Sequence, residues 1–224
     1  MYLPSVSVFK ERSRSVDALV PVIIIIWVTG IFWFIGSKSW NPFAGSAYPY
    51  ESFVVVMPTI TLIVPTLAFL YATKGSFRSA RLTFDRFESS VLLGLVAAAI
   101  LLLPTIIFSN RFTLGLEKAS ALYLFALGYQ AVCEEVFFRG FLQTRMENLL
   151  GSVNGLVVTA IIFNLYHLPA DIFAYGLSTT QSVANVGFTL PLAVILGYLA
   201  LRSDSLVGSS IYHIAYNLPL ILRH

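Results

Sequence analysis

The sequence predicts an all-α fold, a polytopic integral membrane bundle of about seven transmembrane helices. Of its 224 residues, 57% are hydrophobic and only 11% are charged, whereas soluble domains carry about 25% charged residues. The mean hydropathy is +0.81, and the apolar residues are spread along the whole chain. This composition excludes a disordered chain and argues against a water-soluble globule. The chain is also too apolar for an outer-membrane barrel, whose strands alternate polar with apolar residues.

Seven apolar stretches account for the predicted helices, since a membrane-spanning helix requires about 20 mainly apolar residues. The first follows a basic tail and is interpreted as a retained signal anchor, because no cleavage pattern follows it closely. The second and third are strongly apolar, the fourth contains two acids and an arginine, and the sixth contains a proline that membrane helices tolerate. The fifth and seventh carry histidines, and the seventh is short. The predicted spans are Ala18–Ile35, Ser52–Tyr71, Ser90–Phe108, Ala119–Gln143, Val153–Leu168, Val183–Leu201 and Leu206–Leu222.

The basic residues predict the orientation of these spans, because lysine and arginine are enriched in cytoplasmic loops. Seven spans place the two termini on opposite sides of the membrane. The side of the N-terminus carries Lys10, Arg12, Arg14, Lys74, Arg78, Arg81, Arg86, Arg145 and Arg202, whereas the other side carries Lys38, Arg111, Lys118 and Arg223. We therefore expect a cytoplasmic N-terminus and an external C-terminus. In a membrane protein, the net charge of +3 says little about binding to nucleic acid, and no nucleic-acid partner is expected.

The chain divides into three predicted parts. Residues 1–17 form a cytoplasmic N-terminal tail, residues 18–117 form three membrane spans with their loops, and residues 118–224 form a C-terminal membrane core. The longest polar stretch, Lys74–Glu88, is interpreted as a solvated cytoplasmic loop. The one cysteine, Cys133, lies in an apolar helix and is interpreted as a small buried hydrophobic residue.

Ionisable residues inside the apolar spans are concentrated in the C-terminal core. An ionisable group at the centre of a bilayer costs about 2.5–3.5 kcal/mol on insertion scales. Turning several such groups toward one another is cheaper than exposing each to lipid. We therefore expect one polar cavity formed by Glu134, Glu135, Arg139, His167 and His213, with Asn164 and Asn217 beside them.

Helical spacing assigns directions to the acids of the fourth span. Glu135 and Arg139 are four residues apart with the acid first, which is the favourable order for an ion pair. Glu134 lies about 100° around the helix from Glu135. We therefore expect Glu135 to pair with Arg139 and Glu134 to point into the cavity.

The polar residues of the fifth and seventh spans also share faces. His213 and Asn217 are four residues apart, and Asn164 and His167 are three apart. Asn164 either orients His167 or binds a neighbouring helix. His167 lies near the outer end of its predicted span, so tilting of that span or an earlier start is needed to bring it level with Glu134.

These residue types suit the hydrolysis of a peptide bond by water. Glu134 can act as a general base that takes a proton from water, and His167 can hold that water or carry the proton to the leaving amine. His213 and Asn217 supply N–H donors for the oxyanion of a tetrahedral intermediate. No G-x-S-x-G motif is present, and Cys133 projects from a different face than Glu134, so a serine or cysteine triad fits poorly.

Three alternatives remain open for these residues. Two histidines and one glutamate form an accepted catalytic zinc set, although H-E-x-x-H spacing is absent. Buried Glu and His also relay protons in transporters. A non-catalytic immunity or scaffold protein would use the same polar residues to lock helices together.

Three motifs occur in order on successive apolar segments. Glu134-Glu135-Val-Phe-Phe-Arg139 reads as E-E-x-x-x-R, Phe163-Asn-Leu-Tyr-His167 as F-x-x-x-H, and His213-Ile-Ala-Tyr-Asn217 as H-x-x-x-N. Together they resemble the CAAX protease and bacteriocin-processing family, also called the Abi or type II CAAX prenyl endopeptidase family. The resemblance covers the chain from about Ala119 to Leu222.

The resemblance implies a metal-independent glutamate protease of the membrane, with no cofactor. By motif position, Glu134 would activate water shared with His167, and His213 and Asn217 would bind the oxyanion. Glu135 and Arg139 would support the site. The substrate would be a peptide or protein, prenylated in some members of the family, and the compact chain is typical of a member from a prokaryotic cell membrane.

Overall fold

The computed structural model describes residues 22–25, 30–31, 43, 45–108, 120–174 and 176–218, apart from the side chains of residues 105, 108 and 174. No described residue lies in a β-strand. After two short helical stretches at residues 22–25 and 30–31, this part of the chain forms six long or medium helices. They are α1 (Pro49–Ala72), α2 (Phe87–Phe108), α3 (Ala121–Leu150), α4 (Ser152–Phe173), α5 (Thr179–Ser203) and α6 (Val207–Asn217).

Five of these helices, α1 to α5, are long and apolar enough to cross a membrane. The described residues are all-helical, as predicted, and their length and composition support an integral membrane protein, but the predicted number of seven spans is not confirmed. Most of the first predicted span, Ala18–Ile35, lies outside the described residues. The seventh predicted span is represented by α6, which has only eleven residues, and residues 219–222 are not described.

Two predicted helix ends were wrong. The fourth span was predicted to end at Gln143, but α3 continues to Leu150 because its last two turns are amphipathic and bury Arg145 and Met146. The fifth was predicted to end at Leu168, before a proline. Helix α4 instead continues through Pro169 into a π-helical turn, Ala170–Ala174.

Two further π-helical segments interrupt the long helices. One lies in α1 at Thr59–Ile63, and the other lies in α3 at Val136–Leu142. A π segment is wider than an α-helix and frequently occurs at a functional site. The segment in α3 begins directly after Glu135 and contains Arg139.

Local sequence signals set several helix boundaries. The Ser120 hydroxyl accepts the Tyr123 N–H at 3.1 Å at the start of α3, and Ser178 forms a reciprocal capping box with Gln181 at the start of α5. Gly151, at φ +83°, turns the chain between α3 and α4. This conformation strains any residue with a Cβ atom.

Helix α3 lies at the centre and contacts α1, α4 and α6. Its rings at Phe137, Phe138 and Phe141 are fully buried and pack with apolar residues of α1, α4 and α5. Aromatic side chains bury large apolar areas, so this cluster contributes much of the packing energy. It holds in place the helix that carries both glutamates.

The predicted solvated loop, Lys74–Glu88, is only partly solvated. It contains a short 3₁₀ helix, Phe77–Ala80, and both Ala80 and Arg81 are buried against α3 and its neighbours. The prediction failed at these two residues because a basic loop gives no sequence signal that one of its arginines is buried.

Candidate active site

The carboxylate of Glu134 lies between two imidazole rings that come from two other helices. Its Oε2 atom is 3.8 Å from Nε2 of His167 on α4 and 3.7 Å from Nε2 of His213 on α6. Because α4 continues beyond His167 to Phe173, this histidine lies within its helix, level with Glu134. The structure thus brings together the acid and both histidines that the sequence singled out.

The site is closed on most sides. The side chains of Glu134 and His213 are only 3% and 5% exposed, whereas the side chain of His167 is 37% exposed. A carboxylate removed from water interacts more strongly with neighbouring dipoles and charges than one at the surface. His167 is the most exposed of the three side chains.

Hydrogen bonds at the far side of each ring define how the imidazoles face Glu134. Nδ1 of His167 lies 2.8 Å from the carbonyl oxygen of Phe163, and Nδ1 of His213 lies 2.9 Å from Oε1 of Glu135. A carbonyl or carboxylate oxygen only accepts, so both Nδ1 atoms carry a proton. In the neutral rings, the Nε2 atoms, which are the ring nitrogens nearer to Oε2 of Glu134, then carry no proton.

Glu135 connects His213 to a buried arginine. Its Oε2 atom lies 3.7 Å from Nε of Arg139, and both side chains are fully buried. The Arg139 guanidinium also lies 4.2 Å above the ring of Phe163, which is a favourable cation–π position. The predicted pairing of Glu135 with Arg139 is therefore present, and it holds the carboxylate that orients His213.

Gln130 is a part of the site that the sequence analysis did not single out. Its Nε2 atom donates a hydrogen bond of 2.9 Å to Oε1 of Glu134. The sequence spacing could have identified it, because Gln130 lies one helical turn before Glu134 and residues four apart share a helix face. This bond fixes one carboxylate oxygen and leaves the other facing the imidazoles.

Asn164 connects two helices. Its Nδ2 atom donates to the carbonyl of Ala160 at 2.8 Å, and its Oδ1 atom accepts the hydroxyl of Thr189 on α5 at 2.5 Å. The bond from Thr189 therefore joins α5 to α4. The ring of His167 is oriented by the backbone of its own helix, at Phe163.

Asn217 is the last residue of α6 and is partly buried, one turn beyond His213. Its side chain has no hydrogen-bond partner among the described residues. Its spacing from His213 puts the two residues on one face of α6. Its amide is thus on the same side of the helix as the imidazole that faces Glu134.

The donor set of Glu134, His167 and His213 is chemically suited to zinc as well as to water. In the part of the chain that the structure describes, no three His, Cys, Asp or Glu side chains are grouped closely enough to hold a metal ion. Ligand atoms about 2.0–2.1 Å from a tetrahedral zinc lie roughly 3.3 Å apart. The separations of 3.7 and 3.8 Å at Glu134 are wider than that.

A family model described as Rce1-like, type II CAAX prenyl endopeptidase, matches residues 116–219. Over these residues, which make up just under half of the chain, the protein is similar to the Rce1-like family. The Rce1-like region contains all three motifs, and its helices α3, α4 and α6 supply the glutamate and the two imidazoles. This similarity supports a CAAX-type membrane endopeptidase that acts on a peptide or protein. No curated protein and no solved structure matches the chain.

Proposed function

We propose that this protein is an intramembrane endopeptidase in which Glu134 activates water to hydrolyse a peptide bond, without a metal ion or an acyl-enzyme. The observation that carries the proposal is the position of Oε2 of Glu134, 3.7 and 3.8 Å from two imidazole Nε2 atoms. These separations are too long for direct hydrogen bonds. They suit groups that hold one water molecule between them.

The reaction follows from these positions. Glu134 takes a proton from water while the water oxygen bonds to the scissile carbonyl carbon, which becomes a tetrahedral oxyanion. The C–N bond then breaks, and the nitrogen leaves with the proton that Glu134 returns directly or through His167. The products are a carboxylic acid and an amine, so water is the only co-reactant.

His213 and Asn217 are the proposed oxyanion donors. The amide of Asn217 donates through Nδ2. His213 donates from Nε2 when its ring carries both protons, because Nδ1 already donates to Glu135. Glu135, held by Arg139, balances the charge of that doubly protonated ring. Donors fixed in a water-poor site stabilise a developing oxyanion strongly.

The proposed substrates are prenylated CAAX-like peptides or other membrane-associated peptides. A buried site whose most exposed side chain is His167 favours an extended segment delivered close to the bilayer. We further propose that the protein resides in a prokaryotic cell membrane with its N-terminus in the cytoplasm. Proton-coupled transport or a scaffold role would use the buried acids without cleaving a peptide.

Mass spectrometry of membrane peptides tests the proposal in cells. Cells carrying wild-type protein, Glu134→Gln or Glu88→Gln are compared at equal protein levels. Glu88 is an exposed residue in the first turn of α2, so its variant is the matched control. We expect cleaved peptides with wild type and Glu88→Gln, and none above background with Glu134→Gln, because loss of a general base costs about 10²–10⁴-fold in rate.

Two results would contradict the proposal. The first is an unchanged set of cleaved peptides with Glu134→Gln. The second is the absence of any cleaved peptide that depends on the wild-type protein, together with proton-coupled flux in proteoliposomes or a stably bound partner.

A further inference from the structure

The connection between α1 and α2 is packed directly on the π segment of α3. The carbonyl oxygen of Ala80 lies so close to Gly140 that a Cβ atom at residue 140 would collide with it. Glycine is the residue that allows this approach of two backbones. The contact places the 3₁₀ helix, Phe77–Ala80, against the wide turns that follow Glu135.

Arg81 extends this contact into a buried polar network. It ends the 3₁₀ helix in a left-handed conformation, at φ +54°, and only 4% of it is exposed. Its Nη1 atom donates to the carbonyl oxygen of Arg139 at 3.2 Å, and its Nη2 atom donates to Oε2 of Glu147 at 2.6 Å. The planar fork of a guanidinium suits two such bonds at once.

The network continues from Glu147 into α5. Gln143 donates from Nε2 to Oε1 of Glu147 at 2.7 Å and to the carbonyl of Gly197 at 3.0 Å. Asp204, after the end of α5, lies 3.5 Å from Nε of Arg81. Removing one member of a buried network leaves the polar atoms of its partners without hydrogen bonds, which costs free energy. The network therefore holds Arg81 in one position.

The bond from Arg81 reaches the hydrolytic site through the backbone of one residue. The Arg139 carbonyl lies in the π segment, and the Arg139 side chain pairs with Glu135. Glu135 in turn holds Nδ1 of His213. A shift of the π segment would therefore turn Arg139, loosen Glu135 and rotate the imidazole that faces Glu134.

We propose that Arg81 is a positioning residue of the hydrolytic site. By donating to the Arg139 carbonyl while it is anchored on Glu147, it holds the π segment of α3 in the register in which Glu135 orients His213. The α1–α2 connection, outside the Rce1-like region, is thereby part of the catalytic apparatus. The expected effect on kcat rests on the proposed peptidase function, whereas the expected effect on the orientation of His213 does not.

The test compares Arg81→Met with the matched control Arg78→Met. Both residues lie in the same connection, but Arg78 is exposed and pairs with the exposed Asp85. Arg81→Lys keeps the charge near Glu147 and lacks the fork that reaches the Arg139 carbonyl. Each full-length variant is purified in detergent, and its folding is checked by gel filtration and thermal unfolding.

The first readout is the rate of peptide cleavage in proteoliposomes. We expect Arg81→Met to lower kcat roughly 10- to 100-fold with KM unchanged, as small misplacements of catalytic groups do. Arg81→Lys should fall between Arg81→Met and wild type, and Arg78→Met should match wild type.

The second readout does not require activity. The sequence contains only three histidines, so ¹⁵N-histidine labelling gives a tractable imidazole spectrum. We expect the ring-nitrogen signals of His213, assigned with a His213→Gln sample, to shift in folded Arg81→Met and to stay unchanged in Arg78→Met. If wild type cleaves no peptide, the proposed function fails, and this spectrum still decides the role of Arg81.

Two outcomes would overturn the proposal. One is an Arg81→Met protein of lowered thermal stability whose kcat and His213 signals match wild type, which would make Arg81 a packing residue only. The other is an Arg78→Met protein with the same fall in kcat and the same His213 shifts as Arg81→Met. That result would attribute both effects to the positive charge of the α1–α2 connection and not to the bonds of Arg81. Should Arg81→Met not fold, Glu147→Gln replaces it, with smaller changes expected in the same direction.

Discussion

Two adjacent glutamates with different partners define the chemistry at the scale of single residues. Glu134 faces Nε2 of both histidines, and Glu135 holds Nδ1 of His213. The difference arises because neighbouring residues of a helix project about 100° apart. One imidazole therefore lies between two carboxylates, of which one is assigned to proton transfer and the other to orientation.

Gln130 should matter for turnover because it fixes the carboxylate of Glu134. Gln130→Leu keeps the approximate size of the side chain and removes the donor. A hydrogen bond to a charged group contributes about 1.5–3 kcal/mol, and each 1.36 kcal/mol corresponds to a tenfold change in rate. We expect kcat to fall roughly tenfold or more, measured on a cleaved peptide in proteoliposomes.

The matched control for Gln130→Leu is Tyr129→Phe. Tyr129 lies in the same turn, and its hydroxyl bonds to Thr59 of α1 at 2.7 Å. Its removal should leave kcat near the wild-type value. An unchanged kcat in folded Gln130→Leu would show that the orientation of the carboxylate does not depend on this bond.

At the scale of elements, α6 carries His213 and depends on a close contact with α2. The N–H of Gly208 donates to the hydroxyl of Ser90 at 2.9 Å, and Gly94 packs against the Gly208 backbone. Small residues at such crossings let membrane helices approach closely. Because α6 is short, this contact with α2 fixes the height and rotation of the imidazole.

Gly208→Ala should disturb this crossing. A Cβ atom at residue 208 would lie 2.6 Å from the Ser90 carbonyl oxygen, and overpacking typically costs about 1–3 kcal/mol. We expect a lower midpoint of thermal unfolding and slower cleavage. Gly187→Ala, in α5 where an added Cβ meets nothing within 4 Å, should unfold no earlier than wild type. Equal midpoints for the two variants would contradict the proposed role of the crossing.

Hydropathy predicted the helices well and their details poorly. The apolar runs located α1 to α5, because the cost of burying polar groups in lipid constrains composition strongly. The π segments left no such signal, since they change backbone hydrogen bonding without changing hydropathy. The end of α3 was missed because its last turns are held by tertiary burial of Arg145 and Met146.

At the scale of the whole molecule, three helices from the Rce1-like region meet at the glutamate, and helices outside that region support them. Helix α1 packs on α3, and α2 packs on α6. The cost of isolated charges in the membrane predicted that the polar residues of the spans would converge on one cavity. The three motifs predicted which residues would form it. Arg81 was not predicted, because its burial depends on the approach of Ala80 to Gly140, which spacing along the chain does not encode.

The central claim is that Glu134 activates water without a metal ion. The most direct test is the rate at which purified, reconstituted protein cleaves a farnesylated CAAX-like peptide in the presence of a strong chelator, measured for wild type and Glu134→Gln. We predict that wild type retains its full rate after chelation and that Glu134→Gln has no detectable rate. Cleavage by Glu134→Gln at the wild-type rate would contradict the claim, as would a wild-type activity that chelation abolishes and zinc restores.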